Sequence, residues 1–261
     1  MKLCYLFTTH FSLSLVCSRK ISIMLKERSC LEIENNAYRH ELKYCINYAD
    51  YLALRSRLRP VMKPDPHAGA DGRYLIRSIY FDNFDDKALR EKINGVQKRE
   101  KFRIRWYNTD LSLIHLEKKM KLNNLCLKLS ATLTEEECLA LCKGQLDWML
   151  RHPSELVREL RCKMTLQQLR PRVVVSYLRE PYIYTAGNVR VTFDSHIRTS
   201  LFSRDFLESD LPEISATDVP GDMILEVKYD GYLPEIIASL LQTEGIRQQA
   251  FSKYGACRRY G

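Results

Sequence analysis

The sequence predicts an α+β fold in which eight antiparallel strands close into a β-barrel with helices packed on its outside. Three observations predict it. Seven short segments alternate charged and apolar residues with the two-residue period of a strand, and an eighth strand candidate lies at 77–83. Helix-start signals and helix-period runs fall between them. The helices are amphipathic and need an apolar surface to cover, which the outer wall of a barrel supplies.

The segment "KFRIRWY" at residues 101–107 shows the logic. In an extended chain Lys101, Arg103 and Arg105 share one face, and Phe102, Ile104 and Trp106 share the other. Six further segments follow the same rule, and one more completes a set of eight strand candidates. "RHELKYCI" sets Arg39, Glu41 and Lys43 against Leu42, Tyr44 and Ile46, and "RSIYFDN" covers 77–83. "IHLEKKM" aligns His115, Glu117 and Lys119, and "LCLKLS" puts Lys128 opposite Leu127 and Leu129. "VVVSYLRE" brings Arg179 into phase with Val175 and Tyr177, while "VRVTFDSHIR" aligns Arg190, Thr192, Asp194, His196 and Arg198. "MILEVKYDG" sets Glu226, Lys228 and Asp230 against Leu225, Val227 and Tyr229. Eight strands are enough to close a small barrel, and closure hides the sheet edges. Helices are predicted at 50–58, 85–94, after a "TEEE" capping box starting at Thr134, at 154–164 and at 234–242.

Composition bounds the rest. The 261 residues are 45% hydrophobic and 28% charged, an ordinary globular balance, with a formal net charge of +9 that favours an anionic partner. Nine scattered cysteines include no CxxC pair and no zinc spacing, so reduced thiols in a cytoplasmic protein fit best. Cys138 and Cys142, one helical turn apart, read as helix packing. Residues 1–36 read as a disordered or mis-assigned extension, with Met24 as an alternative start, and 37–261 as the folded domain. The run at 1–17 vaguely resembles a signal peptide, but it is weakly apolar and short and no small-residue cleavage site follows it, and no other segment could span a membrane.

Two arrangements of the barrel are open. If the apolar faces point inward, the cations are solvated decoration. If they point outward beneath the helices, the cations converge on a central channel, and the helices favour this second arrangement. Leu156, Val157, Leu160 and Met164 on one side of the 154–164 helix require an apolar wall to rest on.

"RHELKY", "IYFDN", "FRIRWY", "LEKK", "VRVTFD", "LEVKYDG" and "FSKY" occur in the order found in the VTC domain, which the chain resembles from about Tyr38 to its end. That domain is a polyphosphate polymerase related to the CYTH group of triphosphate tunnel enzymes. The resemblance implies an eight-stranded tunnel lined by Lys43, Arg103, Arg105, Lys119, Lys128, Arg179, Arg190, Lys228 and Lys253. Of these it implies catalytic roles for Lys43, Arg103, Arg105, Lys119 and Arg179, and phosphate-binding roles for the other four. It also implies Glu41, Glu117 and Glu226 as carboxylates for Mn²⁺ or Mg²⁺, with Glu226 foremost, although Glu117 paired to neighbouring cations without metal is an equal alternative.

Two positions depart from the related patterns. CYTH enzymes open on E-x-E-x-K, where this chain has Arg39 ahead of Glu41 and Lys43, which is VTC-like. The closing K-F-S-K of eukaryotic polymerase domains is here Ala250, Phe251, Ser252 and Lys253.

The implied activity is metal-dependent phosphoryl transfer on triphosphate or polyphosphate, foremost polyphosphate synthesis from ATP. An inorganic or nucleoside triphosphatase and a non-catalytic polyphosphate-binding module stay open. So does recruitment by a membrane-protein partner. Nucleic acid ranks last, because Phe102, Trp106, Phe193 and Tyr229 lie on the face opposite the cations and cannot stack on bases held there. Asp194 and His196 read as satisfied polar residues, and the terminal "CRRYG" as a solvated turn.

Overall fold

The computed structural model of the chain describes residues 39–122, 125–201, 206–208, 210–217, 221–243 and 245–260. The unit that holds them is Tyr38–Gly261. The expected extension at 1–36 lies outside the described residues.

The described elements follow in chain order as β1 (His40–Ile46), α1 (Tyr48–Leu58), β2 (Lys63–Pro64), β3 (Tyr74–Asp82), α2 (Lys87–Ile93), β4 (Lys98–Tyr107), β5 (Asp110–Leu122) and β6 (Leu125–Leu133). Then come α3 (Glu135–Cys142), α4 (Glu155–Leu166), β7 (Arg170–Tyr184), β8 (Val189–Leu201), β9 (Ile214–Ser215), β10 (Met223–Tyr229), α5 (Glu235–Leu240) and α6 (Lys253–Cys257). All pairings are antiparallel, in the order β1-β10-β8-β7-β3-β4-β5-β6, with β2 added on β7 and β9 on β8. The eight strands of that path are the eight strand candidates of the sequence.

The expected closure differs. The ladder ends at β1 on one side and β6 on the other, and these edges meet only at an isolated bridge between Arg39 and Cys126. A continuous ladder between them would need hydrogen bonds along their length, which the described residues do not make.

The helices cover the apolar face. Phe102, Ile104 and Trp106 of β4 join Leu156, Val157 and Leu160 of α4 and Cys138 and Leu141 of α3 in one buried cluster. Val191 and Phe193 of β8 and Leu225 and Val227 of β10 join Leu54 and Leu58 of α1 and Ile237 of α5 in a second. Burying a side chain of this size contributes roughly 1.5–3 kcal/mol, so these two clusters set which way the sheet faces. On the opposite face a third cluster gathers Ile76, Tyr177, Ile197 and Ile224 around Tyr254 and Cys257 of α6.

Two helices begin on reciprocal caps. Asn47 Oδ1 accepts from Asp50 N at 2.9 Å while Asp50 accepts from Asn47 N at 3.2 Å, and this starts α1 two residues ahead of its expected position. The expected box at Thr134 forms with Glu137, at 3.0 and 3.2 Å. Among the described residues no helix is long and apolar enough to cross a membrane.

Candidate functional site

The charged face of the sheet lines a cavity of 580 Å³. Eleven Lys and Arg side chains line it against three Glu, since β1, β4, β5, β7 and β10 all turn their cationic phase toward it. Nine of the twelve predicted site residues are among the lining: Lys43, Arg103, Arg105, Lys119, Arg179, Lys228, Lys253, Glu41 and Glu226. The other three are elsewhere. Lys128 is more than half exposed, with Nζ 3.3 Å from Glu117. Arg190 bonds Asp65 and donates to the Tyr74 hydroxyl at 3.0 Å. Glu117 sits behind the lining, beneath Arg103.

Cross-strand register pairs the carboxylates with cations. Lys43 lies opposite Glu226 and Glu41 opposite Lys228 across β1 and β10. Lys43 Nζ is 2.7 Å from Glu41, which Lys119 also contacts. Glu226 accepts from Arg179 at 3.2 Å and lies 2.9 Å from Lys228 Nζ. Burial and Glu226 push the Glu41 carboxyl up, yet Lys43, Lys119 and Lys228 prevail and bring it down to about 2. Burial likewise pushes Glu226 up, and Lys228, Lys43 and Arg179 override it and hold it well below the usual carboxylate range.

Arg179 is the most constrained cation. Its Nε and Nη2 donate to Asp194 at 2.6 and 2.7 Å, a buried two-point pair, and Lys253 Nζ reaches the same carboxylate at 2.6 Å. Asp194 is thus the satisfied polar residue expected. His196 is not its neighbour in phase. His196 has φ 51° and the β7–β8 register shifts between Ser176 and Leu178, so the alternation reverses there. Ile197 turns inward and His196 and Arg198 turn to solvent.

Arg103 is held the same way. Its Nε and Nη2 lie 2.7 and 2.6 Å from Glu117 Oε2, and its Nη1 donates to the Tyr80 hydroxyl at 2.9 Å. Arg105 Nη1 is 3.7 Å from Glu117.

The lining residues absent from the predicted set include Tyr80, Lys92, Arg99, Lys101 and Lys121. Arg99, Lys101 and Lys121 carry a signal in the sequence, because each is in phase with a predicted site residue on its strand. They form like-charge rungs, with Lys101 opposite Lys119 and Arg99 opposite Lys121. Lys92, Lys101 and Lys121 have no carboxylate partner among the described residues. Burial brings the Lys101 ammonium down to about 8, and Lys228 likewise to about 8.

Glu41 and Glu226 are hard oxygen donors on neighbouring strands, a chemistry that suits Mg²⁺ or Mn²⁺. No group of three or more His, Cys, Asp or Glu assembles as a metal site among the described residues. One or two carboxylates suffice where phosphate oxygens complete the shell. Glu117, whose oxygens face Arg103, Arg105 and Lys128, acts here as a counter-ion.

The family model for the VTC domain matches residues 38–260. The chain belongs to the VTC domain family. In this VTC domain Arg39, at the position where CYTH enzymes begin on a carboxylate, pairs with Asp230 at 2.8 Å and bonds the Asn188 carbonyl. Solved structures similar to it include a candidate adenylate cyclase from Bacillus halodurans, at 17% identity and TM-score 0.46, covering 78% of this chain and 86% of that one. A protein from Pyrococcus horikoshii OT3 aligns at 14% identity and TM-score 0.42, covering 82% of this chain and 95% of its own. A conserved hypothetical protein from Pyrococcus furiosus aligns at 12% and 0.42, covering 82% and 97%. No curated protein sequence matches the chain.

Proposed function

We propose that this VTC domain transfers the γ-phosphoryl group of a nucleoside triphosphate such as ATP to the end of a polyphosphate chain held in the basic cavity. The observation that carries this reading is the charge imbalance: eleven basic side chains against three carboxylates, with two like-charge rungs on β4 and β5. Like charges directly opposite one another destabilise a sheet, and half-buried cations without a carboxylate partner add to the repulsion. A polyanion with roughly one negative charge per phosphate removes both costs together. The Arg39–Cys126 bridge, which brings β1 and β6 to one another, supports taking the cavity as part of a tunnel.

The cavity divides by partner. Around Arg103, Arg179 and Lys253 the cations are oriented by Glu117 and Asp194, as a site for a fixed triphosphate requires. Along Arg99, Lys101 and Lys121 they have no such partners, as suits a chain that slides. In the transfer, a terminal oxygen of the acceptor chain forms a bond to the γ-phosphorus as the bond from that phosphorus to the β–γ bridging oxygen breaks, leaving the nucleoside diphosphate. No protein nucleophile is required, and alignment and charge stabilisation supply the catalysis. The planar forks of Arg179 and Arg103 neutralise charge on the transferring oxygens. Glu226 and Glu41 would hold Mn²⁺ or Mg²⁺, which when bound neutralises phosphate charge and orients the chain.

Purified protein incubated with ATP and Mn²⁺ yields long phosphate chains on a gel, and Glu226→Gln abolishes turnover while tripolyphosphate still binds. Free phosphate without chains would make the domain a triphosphatase. Tight chain binding with no turnover before the substitution would make it a binding module.

A further inference from the structure

Tyr80, on β3, lines the cavity although only 3% of the residue is exposed. Its oxygen accepts from Arg103 Nη1 at 2.9 Å, the third hydrogen bond that fixes that guanidinium. The Lys101 ammonium stands 5.1 Å from the ring centroid, and the Arg103 guanidinium 5.8 Å. Behind, the ring stacks on Tyr254 at 5.2 Å and 24°, and the Tyr254 hydroxyl donates to Asp82 at 2.6 Å. The phenol is therefore clamped between two cations and a helix, α6, that also carries Lys253.

The Tyr80 hydroxyl proton has no acceptor among the described residues. Two states suit these surroundings: a phenolate facing Arg103 and Lys101, or a phenol donating to an oxygen in the cavity.

We propose that Tyr80 is a positioning residue of the phosphate site, an internal counter-anion to Arg103 and Lys101 in the free cavity that is protonated when a phosphate chain enters. This rests on the phosphate reading of the cavity. The incoming chain supplies the negative charge that the phenolate had supplied, the phenolate oxygen takes a proton from solvent, and the new O–H donates to a phosphate oxygen. Arg103 and Lys101 are thereby handed to the ligand already oriented. The charged groups around the phenol are Lys101, Arg103 and Arg105 of β4 and Lys43 of β1, with the Tyr254 phenol on α6. On β7 its neighbour is the uncharged Val173. Burial pushes the Tyr80 phenol up, but Arg103, Lys101 and Arg105 overcome it and bring it down to about 7. Burial pushes Tyr44, Tyr51, Tyr74, Tyr182 and Tyr254 the other way, so their ionisation does not overlap that of Tyr80.

The test is the near-ultraviolet tyrosinate band of the full chain, followed at about pH 8 while tripolyphosphate is added and binding is measured in parallel by calorimetry. The wild-type protein loses tyrosinate absorbance as the site fills. Tyr80→Phe shows no such loss and binds tripolyphosphate roughly three- to tenfold more weakly, the effect of one hydrogen bond. Calorimetric binding without an absorbance change, or an equal change in Tyr80→Phe, overturns the proposal. Absence of any binding overturns the phosphate reading itself. Should Tyr80→Phe fail to fold, Lys101→Met serves: removing the ammonium raises the midpoint of the tyrosinate signal, and an unmoved midpoint overturns the proposal.

Discussion

Glu117→Gln keeps the shape of a side chain and removes the charge on which three cations converge. Glu117 is 3% exposed, with Arg103 Nε and Nη2 at 2.7 and 2.6 Å, Lys128 Nζ at 3.3 Å and Arg105 Nη1 at 3.7 Å. Burial pushes its carboxyl up, yet Arg103, Arg105 and Lys128 prevail and hold it well below the usual range. Breaking a buried pair from one side costs ~3–5 kcal/mol, and because Gln retains an acceptor oxygen the lower end, ~3 kcal/mol, is expected. In a domain of this size each kcal/mol moves Tm by ~2–4 °C, so Tm falls by ~6–12 °C. The assay is a thermal melt at neutral pH with and without tripolyphosphate. Because a bound phosphate chain returns negative charge to Arg103 and Arg105, the ligand raises Tm more in the variant than in the wild type. A Tm within ~2 °C of wild type, or an equal ligand-induced rise, refutes the reasoning.

Lys101→Ala weakens tripolyphosphate binding by roughly ten- to a hundredfold, the effect of one charge-assisted contact, whereas Lys128→Ala changes it less than about threefold; isothermal titration compares them. Arg179→Lys keeps the charge but loses the two-point grip on Asp194, so both Tm and tripolyphosphate affinity drop, by about 2 kcal/mol of stability. Glu41, Glu117, Asp194 and Glu226 all have depressed folded-state acidities. Their stabilisation is present above the ordinary carboxyl range and lost as pH falls from about 4.5 toward 2, so the urea midpoint declines through that window, less steeply in Glu117→Gln. Mn²⁺ raises Tm more with tripolyphosphate present than alone, and an equal rise without it excludes Glu41 and Glu226 as shared donors.

Strand identity was legible because a two-residue period is local: the phase of Arg103 and Arg105, or of Glu226 and Lys228, requires no knowledge of what lies opposite. Anything decided by contact across the chain was not. Arg190 has the cationic phase of its strand, yet it is turned to Asp65, 125 positions away in sequence. Tyr80 was invisible because β3 is buried along both faces and shows no charge alternation to read. His196 was misread because the irregularity opposite Ser176 and Leu178 reverses the phase of β8. Lys253 was assigned to the lining and is there, but on α6, a five-residue helix too short to leave a periodic signal. Closure is a relation between β1 and β6, and neither strand carries a local mark of whether the other pairs with it.

The polyanion site proposed here must also fold without its ligand, and that requirement explains where the carboxylates stand. Asp194 holds Arg179 and Lys253, Glu226 holds Arg179 and Lys228, Glu41 holds Lys43 and Lys119, and Glu117 holds Arg103, Arg105 and Lys128. Each carboxylate therefore serves two or more cations, which compensates for their burial but leaves every cation short of a full complement of acceptors. A phosphate chain competes for those same cations, and every lysine it draws away leaves a carboxylate oxygen bare. Asp194 and Glu117, gripped by guanidinium forks, keep their partners most firmly. Glu41, gripped by lysines alone, and Glu226, gripped by Lys228 and a single 3.2 Å contact from Arg179, are held less firmly. The difference between a two-point fork and weaker single contacts thus separates the structural carboxylates from those that the proposed divalent cation would use, a distinction that the alternation of residues along a strand does not contain.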